Sequence, residues 1–315
     1  MTHIALCIND SSGTYYKNAL VTTLSVLDNA GGRLCLHIVH DDTLSEQAKD
    51  AFAYLCEQYG QELRLHGAGD IPEQAVKNLP ATIGRGTLYR TMLPSLLQVD
   101  KVLYLDCDIV CLADVTALYA LDIGKNFLAA AKMPPWQAQK WIDKYGINSD
   151  FCINAGVLIM NLDRFRREMP DYADRVMAMA ADPAIKACDQ AATNLIFNPL
   201  SDAYRFLPDD YNFRTELADH STWPLARYRG KILHFAGKKP WQVLTQPAFF
   251  YWKYYARLFP SEDVFARMEM LEPYEHAYLF SFILGDNTRR RRIRRLYEFT
   301  NFGFWKSLKK RLWPF

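Results

Sequence analysis

The chain has 315 residues, half of them apolar, and its basic and acidic residues nearly balance to a formal net charge of +2. A chain of this length and composition is expected to bury a substantial core, as one large domain or as a domain with an appendage. No run of about 18 apolar residues occurs, which excludes a membrane-spanning helix from the predicted elements.

Strand and helix patterns alternate along the first part of the chain. Apolar runs predict strands at residues 4–8, 34–39 and 62–66, and helical spacing predicts helices at residues 16–29, 45–59 and 86–97. This order predicts a mainly parallel sheet with helices on both faces. In open sheets of this kind, ligands bind beyond the carboxyl ends of the strands.

The N-terminal residues and the cysteines indicate the compartment. Residues 1–8 have neither the basic region nor the cleavage site of a signal peptide, and they predict a first strand instead. The seven cysteines are odd in number and lack paired spacings. We therefore expect free thiols in a reducing compartment, the cytoplasm.

The most informative segment is Lys-Val-Leu-Tyr-Leu-Asp-Cys-Asp-Ile-Val at residues 101–110. It predicts a buried strand with Asp106 and Asp108 on one face, because side chains at i and i+2 of a strand point the same way. Two close carboxylates repel each other unless a cation lies between them, and Mg²⁺ and Mn²⁺ prefer carboxylate oxygen. We interpret the pair as half of a metal and diphosphate site. The alternative is that these residues cap the next turn or helix.

Two later segments carry residues that suit the same chemistry. An Asn-Ala-Gly turn is predicted at residues 154–156, before a strong strand, where small residues let a backbone or an amide approach a ligand. His234 ends another apolar run, and Gly237, Lys238 and Lys239 follow it closely. Neutral imidazole ligates cations, glycine admits a phosphate and lysine supplies charge. Taken singly, these segments are also explained as an ordinary turn and a core histidine.

The C-terminal part differs in composition from the rest. Beyond about residue 246 the chain is rich in aromatic residues and predicts a helical appendage that leads into a basic tail. Residues 289–315 contain ten Lys or Arg residues against one acid, Glu298, with aromatic residues interleaved. Such a composition is attracted to an anionic membrane surface. We expect this partner and no nucleic acid, although a nucleic-acid-binding tail and a plain solvated tail are the alternatives.

With these segments in place, the chain resembles glycosyltransferase family 8, which contains bacterial lipopolysaccharide core galactosyl- and glucosyltransferases and, more distantly, glycogenin. The resemblance covers roughly residues 3–245 and depends on the ordered motifs Asp-Cys-Asp, Asn-Ala-Gly, Asp-Gln and His-Phe-Ala-Gly-Lys-Lys-Pro-Trp. It implies an α/β fold of the GT-A type, Rossmann-like, over residues 1–245, with residues 246–315 as a helical C-terminal region. It also implies a UDP-sugar donor, Mn²⁺ with Mg²⁺ as the alternative ion, and retention of anomeric configuration.

The resemblance also implies roles for individual residues. Asp106, Asp108 and His234 match the metal ligands of the family. Gly237 and Lys239 match contacts of the diphosphate, with the lysine before Lys239 left open as an alternative. The further positions that match donor contacts are Asn9, Asp10, Tyr15, Arg90, Asp106, Cys107, Asn154 and Ala155.

Asp189 and Gln190 match the acidic and amide pair beside the anomeric carbon, so they are the candidate catalytic residues. Retention needs either a double displacement or a front-face attack guided by the leaving group. The neutral amide oxygen of Gln190 is a weak nucleophile, and Asp189 is the better one by charge. We favour front-face attack, with the departing phosphate oxygen as the base.

The acceptor implied by the resemblance is the core of lipopolysaccharide or lipooligosaccharide, a glycolipid at the inner face of the inner membrane. We therefore expect a peripheral protein on that face. The sequence leaves glucose and galactose open as donor sugars, because such choices depend on one or two contacts to a single hydroxyl.

Three other classes of protein share parts of this pattern. A haloacid-dehalogenase-type phosphatase also has Asp-x-Asp after an apolar strand, but it does not explain the His-Phe-Ala-Gly-Lys-Lys segment. A sugar nucleotidyltransferase would be expected to have a Gly-rich phosphate loop near the first strand, and the sequence has none there. A catalytically silent sugar-binding protein would keep the binding residues without turnover.

Overall fold

The computed structural model describes residues 1–80, 83–185, 187–217, 225–242 and 245–260. Its strands are β1 Thr2–Ile8, β2 Leu34–His40, β3 Glu62–Gly67, β4 Lys101–Leu105, β5 Ile109–Cys111, β6 Leu128–Lys132, β7 Ile153–Asn161, β8 Tyr204–Phe206, β9 Phe213–Arg214 and β10 Ile232–His234. Its α-helices are α1 Tyr16–Asn29, α2 Glu46–Gln58, α3 Glu73–Asn78, α4 Gly86–Tyr89, α5 Leu93–Leu96, α6 Val115–Tyr119, α7 Pro135–Tyr145, α8 Leu162–Glu168, α9 Tyr172–Ala181, α10 Asp189–Phe197 and α11 Ala248–Leu258.

The main sheet has seven strands in the order β3-β2-β1-β4-β7-β6-β8. Strands β1 to β4 pair in parallel, as do β6 and β8, whereas β7 runs antiparallel to both β4 and β6. A small second sheet has the order β5-β10-β9. The predicted mainly parallel sheet is therefore confirmed.

The predicted N-terminal elements agree closely with the structure. Helix α1 has the predicted bounds, and α2 begins one residue after Ser45, whose hydroxyl accepts a hydrogen bond from Ala48 N at 3.2 Å and so caps the helix. The predicted helix at residues 86–97 is instead divided into α4, a 3-10 turn at Arg90–Met92, and α5. Pro94 accounts for the break, since it cannot donate to the carbonyl four residues earlier.

The core of the sheet is built largely from the aliphatic residues of its strands and from aromatic rings on α8 to α10 and just before β6. The rings of Phe127, Phe165 and Phe197 lie with centroids 5.0 to 5.5 Å apart. All three are almost fully buried, as are Leu103 and Ile159 on the adjacent strands β4 and β7. This packing supports the sheet whose strands β1 and β4 carry the candidate site at their carboxyl ends.

The chain divides into two compact units. Among the described residues, the first comprises Met1–Arg214 and Arg229–His234, and the second comprises residues 215–217, 225–228, 235–242 and 245–260. In the second unit, α11 confirms the predicted aromatic helix, with Trp252 fully buried and its Nε1 donating to Pro240 O at 3.1 Å. The domain boundary at residue 245 remains a prediction, and the basic tail at residues 289–315 lies outside the described residues.

Two predicted properties can be compared with the described part of the chain. All seven cysteines are buried and none forms a disulfide, which confirms the expectation of free thiols. Within the described ranges, no helix has both the length and the apolar character required to cross a bilayer.

Candidate active site

Asp106 and Asp108 lie at the carboxyl end of β4, as the sequence predicts, but in a turn rather than in a strand. Strand β4 ends at Leu105, and the chain turns through Cys107 and Asp108 into β5, which belongs to the second sheet. The prediction of one continuous strand was therefore wrong. The two carboxylates are still brought together, because the turn is tight.

His234 joins these carboxylates through the pairing of the small sheet. It is the last residue of β10, which pairs antiparallel with β5 so that His234 lies opposite Ile109. Its Nε2 is 3.6 Å from Asp106 Oδ2 and 3.5 Å from Asp108 Oδ1. One ligand atom from each residue fits within 4.8 Å of the others.

Two residues that the sequence analysis did not single out for this purpose orient the His234 ring. Its Nδ1 lies 2.8 Å from Asn212 Oδ1, which directs Nε2 toward the carboxylates. Gly156 makes room for the ring, because a Cβ on Gly156 would lie 2.1 Å from His234 Cε1. The Asn-Ala-Gly segment was predicted as a turn, but it lies inside β7, where the register with β6 shifts. Nothing in the sequence marks Asn212.

Arg90 is buried between two of the acidic candidates. Its Nε is 2.8 Å from Asp189 Oδ2, its Nη1 is 3.2 Å from Asp106 Oδ1, and Nη1 also donates to Ala155 O. Asp106 Oδ1 in addition accepts from the Tyr104 hydroxyl at 2.6 Å. Burial raises the pKa of Asp189, although the Arg90 charge opposes this. Arg90 therefore connects the Asp-Cys-Asp segment to the Asp-Gln pair.

Gln190 is fixed by the same segment of β7. Its Oε1 accepts hydrogen bonds from Ala155 N at 2.9 Å and from Asn154 Nδ2 at 3.2 Å, and its Nε2 lies 3.6 Å from Met133 Sδ. Asn154 Oδ1 in turn accepts from Asn212 Nδ2 at 2.8 Å. Asn154, Ala155 and Gln190 thus form one hydrogen-bonded group that reaches His234 through Asn212.

The three N-terminal candidates lie where β1 ends. Asn9 Nδ2 donates to Asp41 Oδ2 at 2.8 Å, and Asp10 N donates to Thr43 Oγ1 at 2.7 Å. Asp10 Oδ1 accepts from Tyr15 N at 2.6 Å, which fixes the loop before α1. The other oxygen, Asp10 Oδ2, is buried and has no hydrogen-bond partner among the residues that the structure describes.

The remaining candidates lie apart from this network or belong to the second unit. The Cys107 side chain is buried and its Sγ faces Cys7 O at 3.5 Å, so only its backbone could meet a ligand. In the second unit, Lys239 Nζ donates to Phe235 O at 2.9 Å. A Cβ on Gly237 would lie 3.3 Å from the Glu216 side chain. The diphosphate roles of Gly237 and Lys239 remain predictions.

The donor set at the end of β4 suits a divalent cation. Two carboxylates and one imidazole can supply oxygen and nitrogen ligands, a set that suits Mn²⁺ or Mg²⁺ with positions left for phosphate oxygens. Asp106 and Asp189 both pair with Arg90, and the carboxylates of Asp106 and Asp108 both lie close to His234 Nε2. A cation at this point would offset the repulsion between the two close carboxylates of Asp106 and Asp108.

The sequence matches the model of glycosyl transferase family 8 over residues 3–245. It is similar to glycosyltransferase GlyE of Streptococcus pneumoniae serotype 4, with 28% identity over 209 residues, 64% of this chain and 47% of GlyE. The chain therefore spans about half the length of this relative. It is also similar to lipopolysaccharide 1,3-galactosyltransferase of Salmonella typhimurium, with 23% identity over 282 residues, 84% of this chain and 77% of that protein.

Solved structures show the same fold. The galactosyltransferase LgtC, crystallised with donor and acceptor sugar analogs, matches with a TM-score of 0.65 and 23% identity over 83% of this chain and 96% of that one. The GlyE structure matches with a TM-score of 0.58 and 20% identity over 85% of this chain and 63% of that one. The GT-A architecture expected from the sequence is thereby confirmed.

Proposed function

The chain belongs to glycosyl transferase family 8, and from this premise we propose that it transfers glucose or galactose from a UDP-sugar to a lipopolysaccharide or lipooligosaccharide core, with retention of anomeric configuration. The observation that carries the proposal is the convergence of Asp106, Asp108 and His234 at the carboxyl end of β4. Oxygen and nitrogen ligands at such a strand end suit a divalent ion and a diphosphate.

In this proposal Asp106, Asp108 and His234 would hold Mn²⁺, with Mg²⁺ as the alternative. The bound ion supplies Lewis acidity that offsets the charge developing on the departing UDP. The protein contributes the orientation of these ligands. Asn212 fixes the His234 ring, while Arg90 and Tyr104 both contact Asp106 Oδ1 and so turn Oδ2 toward His234.

Uridine recognition is assigned to the loop after β1. The buried, unpartnered Asp10 Oδ2 requires a donor, and the N–H of a uracil ring can supply one. Tyr15 lies at the start of α1, where its backbone N–H holds the other Asp10 oxygen. Asn9 is engaged with Asp41, so in this proposal it positions the loop instead of contacting the base directly.

The contacts of Asp189 and Gln190 favour front-face attack over a double displacement. The Asp189 carboxylate is 2% exposed and paired with Arg90, which leaves it poorly placed to attack an anomeric carbon. The Gln190 oxygen already accepts two hydrogen bonds, which lowers its nucleophilicity further. We assign Gln190, Asn154 and Ala155 to positioning the sugar, and the proton of the acceptor hydroxyl to the departing phosphate oxygen.

The proposed acceptor is a glycolipid at the inner face of the inner membrane. This part of the proposal depends on the lipopolysaccharide hexosyltransferases among the relatives and on the composition of residues 289–315. The tail would hold the protein at an anionic surface, where the acceptor is concentrated.

The test is UDP release from purified protein given a panel of UDP-sugars, first with Mn²⁺ and then with EDTA. Release from one UDP-hexose that EDTA stops, and that Asp108→Asn abolishes, is expected. Asp163→Asn is the matched control, because Asp163 forms an exposed ion pair with Arg167 on α8. If no UDP-sugar of the panel releases UDP, and UDP does not bind in a metal-dependent way, the proposal is contradicted. Release of phosphate from a simple ester would favour the phosphatase class instead.

A further inference from the structure

Three histidines form a hydrogen-bonded chain across β1, β2 and β3. His3 Nδ1 lies 3.0 Å from His37 Nε2, and His37 Nδ1 lies 3.0 Å from His66 Nε2. The rings are close as well, with centroids 5.3 Å apart for the first pair and 5.2 Å for the second. Nothing in the proposed transfer reaction uses this group.

Cys35 lies on the same face of the sheet as these histidines. It is paired in register with His3, and it is two residues before His37 on β2, so all three side chains point to one side. One ligand atom from each of His3, Cys35 and His37 lies within 4.8 Å of the others. Cys35 and His37 are almost fully buried, whereas His3 is partly exposed.

We propose that His3, Cys35 and His37 form a second metal site, specific for Zn²⁺ or a similar ion of the later first transition series. One thiolate and two imidazoles are ligands that such ions prefer, whereas Mg²⁺ and Mn²⁺ prefer oxygen. The site would therefore differ in selectivity from the carboxylate-rich set at Asp106 and Asp108.

The distances are close to those of a tetrahedral site. With Zn–N bonds of about 2.0 to 2.1 Å, two nitrogens of a tetrahedron are about 3.3 Å apart. The observed separation of His3 Nδ1 and His37 Nε2 is 3.0 Å, so the ion would replace the proton that these nitrogens share. His3 then carries its proton on Nε2, and the Cys35 thiol releases its proton to solvent, so the binding step liberates one proton.

His66 supplies the orientation that a ligating histidine needs. A ligating imidazole usually donates its second N–H to a neighbouring acceptor, and His66 Nε2 is placed to accept from His37 Nδ1. Arg64 adds a positive charge to this face, but it is half exposed and pairs with Glu62 at 3.5 Å, so solvent screens it. The partial exposure of His3 leaves room for water as the fourth ligand.

The two sites are far apart along the sheet. Asn9 lies six positions after His3 on the chain, and His37 is level with Ala5, four positions before Asn9. Because a strand rises about 3.3 Å per residue, the proposed ligands His3 and His37 lie about 20 and about 13 Å from the donor loop along the strand direction. An ion here would link β1 to β2 without entering the transfer reaction. It would act as a structural clamp on the two strands that carry the Asn9 and Asp41 loops.

The test uses tag-free, full-length protein carrying Asp108→Asn, so that the carboxylate site does not compete, and Co²⁺ as the probe. We expect one equivalent of Co²⁺ to bind with a thiolate-to-cobalt charge-transfer band in the near ultraviolet. The band should disappear in Cys35→Ser and weaken in His3→Gln, a milder change at the partly exposed ligand. Zn²⁺ should displace Co²⁺ and raise the midpoint of thermal unfolding only where Cys35 is present.

Cys152→Ser is the matched control, since Cys152 is an equally buried cysteine that precedes β7, two strands away from β1. This variant should keep the band at full intensity. Absence of the band in protein with all four cluster residues intact would overturn the proposal. Persistence of the band in Cys35→Ser would overturn it too, because the thiolate would then come from another cysteine.

Discussion

Replacing Gly156 with alanine tests whether His234 must lie where the structure places it. The new Cβ would lie 2.1 Å from His234 Cε1 and 2.8 Å from Nε2, whereas ordinary contacts begin at 3.4 Å. The difference between 3.4 and 2.1 Å means that the ring must move by about 1.3 Å. Metal ligands tolerate shifts of only about 0.2 Å, so His234 would lose its place beside Asp106 and Asp108.

The expected magnitude follows from this displacement. Changes to groups that only orient a ligand lower metal affinity by about 10- to 100-fold, and a 1 Å misplacement near the chemistry costs about 100-fold in rate. We expect Gly156→Ala to weaken Mn²⁺ binding about 100-fold, which is about 2.8 kcal/mol. The assay is the rate of UDP release as a function of Mn²⁺ concentration, with free Mn²⁺ measured by electron paramagnetic resonance.

Gly67→Ala is the matched control for this variant, because a Cβ on Gly67 has no atom within 4 Å. If Gly156→Ala binds Mn²⁺ as tightly as the unmodified protein does, and unfolds at the same temperature, His234 is not a ligand of the working enzyme. If Gly156→Ala is unstable, Asn212→Ala removes the hydrogen bond to His234 Nδ1 without adding a clash. This second variant should lower Mn²⁺ affinity about 10- to 100-fold.

Three further predictions follow from the site and the tail. Asp189→Asn should reduce the free energy of unfolding in urea by about 3 to 5 kcal/mol, because the buried Arg90 guanidinium loses a charged partner. Asp163→Asn, at an exposed ion pair, should reduce it by less than about 1 kcal/mol, and equal losses in the two variants would contradict this. Gln190→Ala should lose only part of the transfer rate and Asp108→Ala all of it, whereas a glycosyl adduct trapped on Asp189 would mean double displacement. Removal of residues 289–315 should abolish sedimentation with anionic liposomes, and unchanged binding would rule out the membrane role.

The parts of the fold that the sequence predicts are those that local patterns determine. Helix α1 and strands β1 and β2 follow from short apolar repeats, and their bounds differ from the structure by at most two residues. Asp106 and Asp108 were identified for the same reason, since acids rarely follow so apolar a run without a partner. The sequence pattern did not predict the turn at residues 106–108, because Asp-Cys-Asp-Ile-Val continues the apolar pattern of a strand. Only the pairing of β5 with β10 reveals that the chain passes from the main sheet to the small sheet there.

The contacts that orient the site could not be predicted because they join distant residues. Asn212 contacts His234 and Asn154 only because β10 pairs with β5 and β9 pairs with β10. This pairing places the 3-10 turn Asp209–Asn212, which precedes β9, beside β7. Gly156 was interpreted as a glycine that admits a ligand, whereas in the structure it admits a protein side chain. The residue type of Gly156 was informative and that of Asn212 was not, and the partners of both residues depend on strand register.

The buried Arg90 joins the candidate metal ligands to the residues proposed to hold the sugar. A guanidinium between Asp106 and Asp189 lowers the cost of burying both carboxylates. Because Arg90 and Tyr104 both contact Asp106 Oδ1, the carboxylate is held with Oδ2 toward His234. The same arginine donates to Ala155 O, next to the amide that holds Gln190. Arg90 therefore links Asp106, a proposed metal ligand, to the residues proposed to hold the sugar.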